Sequence, residues 1–331
     1  MRDLCVIGLG LIGGSLLRAA TQTGRTAWGA TESSADADAA RTDGFDIEPA
    51  VEAALRRAAE RDAMVVLAVP LTAAESVLRT VAELAPHCLL TDVTSVKQPI
   101  AELAARIAPQ STFVGGHPMA GTTRSGWQAG DAQLFAKAAW VVCVDEDTDL
   151  TSWAEVATLA IDVGAEVVPT SSELHDEAVA RISHLPHLLA AVLAHVGAED
   201  GPLPLSLAAG SFSDGTRVAA TRPELTRAMA EGNRAALLPV LDSALGMLGA
   251  ARGALASTGS LGATINAGYE ATRARATQAG SPRSPVRVDL TAADAPEALL
   301  ALGAQGGRIT ELSDDVAVGA LPMLDDDHGQ Q

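Results

Sequence analysis

Apolar residues follow two rhythms along this chain. Through the first half, short unbroken apolar runs recur at 4–7, 27–30, 63–69, 88–92, 112–115, 140–144 and 165–169. Runs of this length predict strands buried on both faces, as in a parallel sheet covered by helices. The segments between them, such as 71–84 and 153–163, repeat their apolar positions with the 3.6-residue period of a helix. Strands alternating with helices predict an α/β fold with a doubly wound sheet, parallel at least at its start.

From about residue 173 the rhythm changes to long Ala/Leu-rich helical runs at 173–199, 203–219, 223–256 and 260–278. No strand-like run interrupts them, which predicts an all-helical second domain. A breaker cluster at 280–285 then reads as a linker. The alternation Val286-Arg287-Val288-Asp289-Leu290 predicts a strand, and 292–304 a helix. Residues 324–331 are acidic and polar and are expected to be a disordered tail. The expected domains are 1–170 (α/β), 171–280 (helical) and 281–331 (linker, strand–helix segment and tail).

A length of 331 residues agrees with two domains, and 48% hydrophobic against 19% charged residues excludes a disordered chain. Aromatics are only 3%, so Ala, Leu, Val and Ile must build the core. The net charge of −18 argues against nucleic-acid binding through a basic face and requires any anionic ligand to meet a local cationic cluster. Three scattered cysteines, Cys5, Cys88 and Cys143, form no disulfide framework or CxxC and fit a reducing cytoplasm. Glycines 8, 10, 13 and 14 interrupt the N-terminal apolar run, which therefore reads as strand–turn–helix rather than signal peptide. No unbroken run of 18 apolar residues predicts a membrane-spanning helix.

Gly8-Leu9-Gly10-Leu11-Ile12-Gly13 follows the first strand and opens a helix, the context in which GxGxxG binds a dinucleotide. Gly8 permits the tight turn, Gly10 lets backbone approach a pyrophosphate, and Gly13 lets helix and strand pack. The domain is thus Rossmann-type. The acid expected after the second strand is replaced by Thr31, with Glu32 one position late and no Arg in the turn. This favours NAD and leaves NADP open.

Further motifs carry chemistry. Thr91-Asp92-Val93-Thr94-Ser95-Val96-Lys97 ends a strand, and Ser95 reads either as a ligand-side hydroxyl or as a helix N-cap. His117, in Gly115-Gly116-His117-Pro118-Met119-Ala120-Gly121, lies in a glycine-flanked loop where an imidazole suits proton transfer. Ser183-His184-Leu185-Pro186-His187 puts two histidines at i, i+3, either surface or core rings, with no carboxylate at helical spacing to complete a metal site. Arg217, after Asp214-Gly215-Thr216, either grips a carboxylate or forms a structural ion pair.

Taken together, GLGLIGGS at 8–15, TDVTSVK at 91–97, GHPMAGT at 116–122 with Ser125-Gly126, HD at 175–176, SHLPH at 183–187 and DGTRVA at 214–219 resemble the prephenate dehydrogenase family. The motifs appear in family order over about residues 4–280. The resemblance implies a Rossmann-type domain, a helical domain forming a homodimer, and an active site in the cleft between them. It implies His117 as the catalytic group on the C4 hydroxyl of prephenate, with Ser95 orienting it and contacting cofactor. It implies Ser183, His187, Arg217 and Thr122 as substrate residues, Arg217 holding a carboxylate. Gly8, Gly10, Leu11, Ile12, Gly13, Thr31, Val69, Pro70 and Thr94 are implied to bind cofactor. Thr123 stands where some members carry Glu, and 285–313 is a candidate remnant of an ACT-type regulatory domain, too short to be complete. Arogenate, the amino analogue of prephenate, is an alternative substrate. A β-hydroxyacid dehydrogenase or imine reductase is less favoured, since the two lysines, Lys97 and Lys137, both precede the helical domain.

Overall fold

The structure, a computed structural model, describes residues 1–122, 124–199, 201–313 and 315–323; Thr123 and the tail expected at 324–331 lie outside the described residues. Five strands form a parallel sheet: β1 (Leu4–Ile7), β2 (Ala27–Ala30), β3 (Met64–Leu67), β4 (Leu89–Asp92) and β5 (Thr112–Val114), ordered β2-β1-β3-β4-β5. Between them run α1 (Leu11–Gln22), α2 (Ser34–Thr42), α3 (Val51–Glu60), α4 (Leu71–Leu84) and α5 (Gln98–Ile107). Leu4, Val6, Met64 and Val66 pack with residues of α1 and α2. Their alternates Cys5, Ile7, Val65 and Leu67 pack with α3, α4 and α5. Burial on both faces explains why these strands read as unbroken apolar runs.

The chain winds from β1 outward to β2 and returns to β3 on the other side of β1. The C-terminal ends of β1 and β3 therefore flank a topological switch point, where doubly wound sheets hold ligands.

After β5 the chain leaves the first sheet through β6 (Gly116–Pro118), which pairs antiparallel with β7 (Ala139–Cys143). A Cβ on Gly116 would sit 2.7 Å from the Asp92 carbonyl oxygen, so only glycine passes this crossing. From β7, α6 (Leu150–Asp162) leads to β8 (Glu166–Thr170), parallel to β7.

The helical region begins with α7 (Ser172–Val179) and α8 (Leu185–Ala198), joined by one π-helical turn, Ala180–His184. Pro186 explains the turn: it has no N–H, and its ring would strike the Ile182 carbonyl of a regular helix. Then follow α9 (Pro202–Ser206), α10 (Gly210–Thr216), a 3₁₀ turn (Arg217–Ala220), α11 (Pro223–Gly232), α12 (Arg234–Ser257) and α13 (Gly262–Gly280). Apolar side chains on α8, α12 and α13, among them Val192, Val196, Leu245, Met247 and Ile265, are exposed in the single chain. The helices Ser172–Ala198 and Arg234–Ser257 each hold an 18-residue window of mean hydropathy 1.3, long and apolar enough to cross a membrane by length and composition. They pass although no unbroken run of 18 apolar residues exists, because isolated polar residues interrupt these windows. The first of these helices buries His175, Asp176 and His184 inside the protein.

The C-terminal segment departs most from expectation. It forms β9 (Arg283–Asp289), α14 (Ala295–Ala304), β10 (Arg308–Ser313) and β11 (Val316–Pro322). Its strands complete a second sheet, ordered β6-β7-β8-β10-β11-β9. Half of the expected linker, residues 283–285, is thus strand, and two unpredicted strands follow. Val288, Leu299, Leu302, Ile309 and Ala317 share one core with Trp140 and Trp153, so the segment is integral to the α/β half rather than a separate regulatory remnant. Its strands pair with one another and with distant β8, and Gly319 breaks the apolar pattern of β11 because a Cβ there would lie 2.1 Å from the Arg308 carbonyl oxygen.

Gly303 tests this docking. Gly→Ala within an ordinary helix stabilises by roughly 0.5–1 kcal/mol. Here an added Cβ would lie 1.7 Å from the Pro169 carbonyl oxygen. Gly303→Ala is expected to lower the thermal midpoint, by more than about 1 kcal/mol of stability. A raised midpoint would show that α14 is not held against β8.

Candidate active site

A cavity of about 560 Å³ opens at the switch point, between the C-terminal strand ends and the helical region. Gly8, Gly10, Leu11 and Ile12 line it, followed by Thr31, Val69, Pro70, Thr94 and Ser95, then His117 and Thr122, with His187 on the helical side. The glycine turn fits a dinucleotide on steric grounds. Gly8 has φ +101, and a Cβ there would meet the Ala68 carbonyl oxygen at 2.4 Å. A Cβ on Gly13 would meet the Gly8 carbonyl oxygen at 2.0 Å, so Gly13 serves packing and does not line the cavity. Gly10 differs: no protein atom lies within 4 Å of its missing Cβ, which leaves space for a ligand. Gly10 also caps α1 with no side-chain hydrogen bond, so the first N–H groups of that helix are available to phosphates.

Beneath the cavity, Lys97 and Asp92 form a salt bridge with both side chains 0% exposed. Lys97 Nζ also donates to the Gly116 carbonyl oxygen (2.6 Å) and approaches Thr94 Oγ1 (3.3 Å). Asp92 accepts from the backbone N–H of Thr94 (2.8 Å) and of Gly116 (3.1 Å). The pair clamps the Thr94-Ser95 turn to the strand carrying His117. A charge pair so dry is tolerated only because further hydrogen bonds satisfy both members.

His117 is held by a chain of hydrogen bonds absent from the sequence-based site. Its Nδ1 lies 2.8 Å from Nε2 of His175. His175 Nδ1 lies 2.8 Å from Oδ1 of Asp176. Asp176 also accepts from the N–H of Lys97 (2.7 Å) and of Gln98 (3.0 Å) at the start of α5. A carboxylate there only accepts, so His175 carries its proton on Nδ1 and presents a lone pair at Nε2. That lone pair receives the Nδ1 proton of His117, which leaves Nε2 of His117 with a lone pair that no described residue engages. Burial, reinforced by His175 and by the charge of Lys97, pushes the His117 pKa well below its ordinary 6.5. Burial likewise lowers His175. Both rings are therefore neutral near pH 7.

His187 Nδ1 donates to the Ser183 carbonyl oxygen (2.8 Å), which leaves its Nε2 as an acceptor. His184 faces inward: its Nδ1 lies 3.1 Å from Asn233 Nδ2, which donates to the Asp176 carbonyl oxygen (2.7 Å), and burial lowers its pKa to about 4.

After β6, Gly121, Thr122 and Arg124 line the cavity, and Trp127 ties the following turn to α1 and α2. The Trp127 backbone N–H donates to Asp36 (2.8 Å), its indole N–H donates to Asp43 (2.7 Å), and the Arg18 guanidinium stacks on its ring at 3.5 Å.

Not every expected site residue lies at the cavity. Ser95 lines the cavity, but among the described residues His117 Nδ1 is held by His175 and not by Ser95. Ser183 lies outside the lining; its hydroxyl contacts the sulfur of Met229 (3.9 Å), which does line it. Arg217 is exposed in the 3₁₀ turn, outside the lining. The cations that line the cavity are Arg222, just before α11, and Arg124, in the loop before Trp127. No three His, Cys, Asp or Glu side chains form a metal-binding group among the described residues.

Two family models match the chain. Residues 16–169 match the prephenate dehydrogenase nucleotide-binding domain, and residues 171–258 the prephenate dehydrogenase dimerization domain. The chain is 32% identical over 268 residues to a cyclohexadienyl dehydrogenase of Zymomonas mobilis, covering 77% of this chain and 89% of the relative. It is 34% identical over 254 residues to the prephenate dehydrogenase of Bacillus subtilis, covering 73% and 67% respectively. The crystal structure of a candidate prephenate dehydrogenase from Corynebacterium glutamicum superposes with a TM-score of 0.88 at 42% identity, covering 93% of this chain and 98% of that one.

The neutral histidine cluster makes stability depend on pH. In the unfolded chain these rings titrate near 6.5, whereas His184 folds with its pKa near 4. The unfolded state therefore binds more protons below pH 6.5, and stability present above that value is lost as pH falls. Between pH 6.5 and 5, His184 alone should cost about 2 kcal/mol. Urea denaturation midpoints across this window should fall, and less steeply in His184→Gln. Midpoints independent of pH would show that the rings are not buried neutral.

Proposed function

The chain belongs to the prephenate dehydrogenase family of oxidoreductases, and we propose that it converts prephenate to 4-hydroxyphenylpyruvate and CO₂ with hydride transfer to NAD. The observation that carries this reading is the free Nε2 lone pair of His117 in a cavity whose other end is the glycine turn. When bound, the nicotinamide supplies the hydride acceptor. The residues of this chain supply the rest. Neutral His117 accepts the C4 hydroxyl proton as C4 loses its hydride. CO₂ then leaves C1, and its electron pair flows into the ring and onto the C4 oxygen, which takes the proton back as the ring becomes aromatic. One hydride and one CO₂ leave prephenate, and no net proton is released. Thr94, Ser95, His187 and Thr122 line the same cavity; in this reading the first two meet the cofactor and the last two the substrate.

Glu32 beside Thr31 supports NAD over NADP, because a carboxylate accepts from a ribose 2′-OH and repels a 2′-phosphate. The exposed apolar faces of α8, α12 and α13 support a homodimer closed through the helical domain. Free, buried Cys5, Cys88 and Cys143 suit a reducing cytoplasm.

Reduced-nicotinamide absorbance, followed with prephenate or arogenate and with NAD or NADP, tests this reading. Turnover should be fastest with prephenate and NAD. His117→Asn should lower kcat by about 10²-fold or more with NAD binding retained. A kcat near wild type would remove His117 from the chemistry.

Prephenate is a dianion approaching a chain of net charge −18, so cationic contacts must capture it. Arg222→Ala is expected to raise KM for prephenate by about tenfold or more, with NAD affinity unchanged. Arg217→Ala should match it only if dimer formation brings the exposed turn to a cavity. An unchanged KM in both variants would place the carboxylates elsewhere.

A further inference from the structure

We propose that His175 and Asp176 are positioning residues that set the tautomer of His117 and balance a proton that is borrowed during turnover and returned. The proposal rests on the function just given, but its first observation does not. His175 is 2% exposed and Asp176 1% exposed, and neither lines the cavity; His175 meets it only through His117. Asp176 is held by two backbone N–H groups at the start of α5, which fix its carboxylate independently of the histidines. The order of donors therefore runs one way, from His117 Nδ1–H to His175 Nε2 and from His175 Nδ1–H to Asp176. The opposite tautomer of His117 would place N–H where the substrate hydroxyl must donate, and the base would be lost.

Asp176 is the charge beside the pair that favours an imidazolium, against burial and Lys97, which disfavour it. Lys97 and Asp92 cancel each other within 0% exposed space. His184, from the π-helical turn, faces the cluster as a neutral ring. Asp176 is then the one anion without a cationic partner in this group while His117 is neutral. Protonation of His117 brings the cluster to zero charge. Among the described residues the hydrogen-bonded chain ends at buried Asp176, and the reaction needs no exit for the proton, because the C4 oxygen recovers what His117 removes.

The proposal separates His175 from a packing role through four measurements. ¹⁵N-histidine NMR of the wild-type protein without ligand should show His117 and His175 both protonated at Nδ1. An Nε2–H tautomer at either ring would overturn the proposal whatever the substrate. His175→Leu, which removes the acceptor, should lower kcat by about 10²-fold or more with KM for prephenate within about threefold. His175→Gln, whose amide oxygen can still accept from His117, should recover part of that loss. Asp176→Asn removes the anion that favours imidazolium, so the acid limb of kcat/KM should move to lower pH while the plateau falls. If His175→Leu is too unstable to assay, the NMR spectrum and His175→Gln decide. Equal kcat and an unmoved acid limb in all variants, with only a lower thermal midpoint, would reduce both residues to packing. Absence of wild-type turnover on prephenate and on arogenate would instead count against the functional reading, and the tautomer measurement would stand alone.

Discussion

A single buried carboxylate joins the two halves of this protein. Asp176 sits on the first helix of the helical region, yet its oxygens are claimed by the N–H groups that open α5 in the α/β half. Its own backbone carbonyl accepts from Asn233 at the border of α11 and α12. Three helices are thereby fixed at one point, and His175, the neighbouring residue, can point only toward His117. Hydrogen bonds to a charged acceptor are roughly twice as strong as neutral ones, and loss of one member leaves the others buried and unsatisfied. The geometry of the cleft follows from that constraint more than from any apolar contact across it.

Much of this architecture was legible in the order of residues. Strands buried on both faces leave unbroken apolar runs, and β1 to β5, β7 and β8 followed them to within a few residues. The glycine turn was legible because sterics dictate it, and Gly8, Gly10 and Gly13 each meet a different demand. β9 was legible from its alternation, but β10 and β11 were not, because β10 pairs with β8, well over a hundred residues earlier, and such partners leave no local trace. β6 was hidden for another reason: Gly-His-Pro has the composition of a turn and becomes a strand only beside β7.

The site divides along the same line. Residues at the cavity were legible by motif and position: Thr94 and Ser95 after β4, His117 on β6 and His187 on α8 all line it. The supporting groups were not. Lys97 was conspicuous as one of two lysines, and the HD pair at 175–176 was recognisable as a motif, yet neither carried a role until three-dimensional distances were known. Arg217 shows the converse: a motif can mark a residue whose setting in the single chain is solvent.

The dryness of the Lys97–Asp92 clamp separates this protein into two electrostatic regimes. Mobile ions screen exposed charges over about 8 Å at physiological ionic strength but do not enter a packed interior. Added salt therefore leaves the clamp and the His117 strand as they are, while it weakens both the repulsion of a dianion by an acidic surface and its attraction to exposed arginines at the cavity. Arrival of the substrate is sensitive to the ionic medium; the arrangement that awaits it is insulated from that medium.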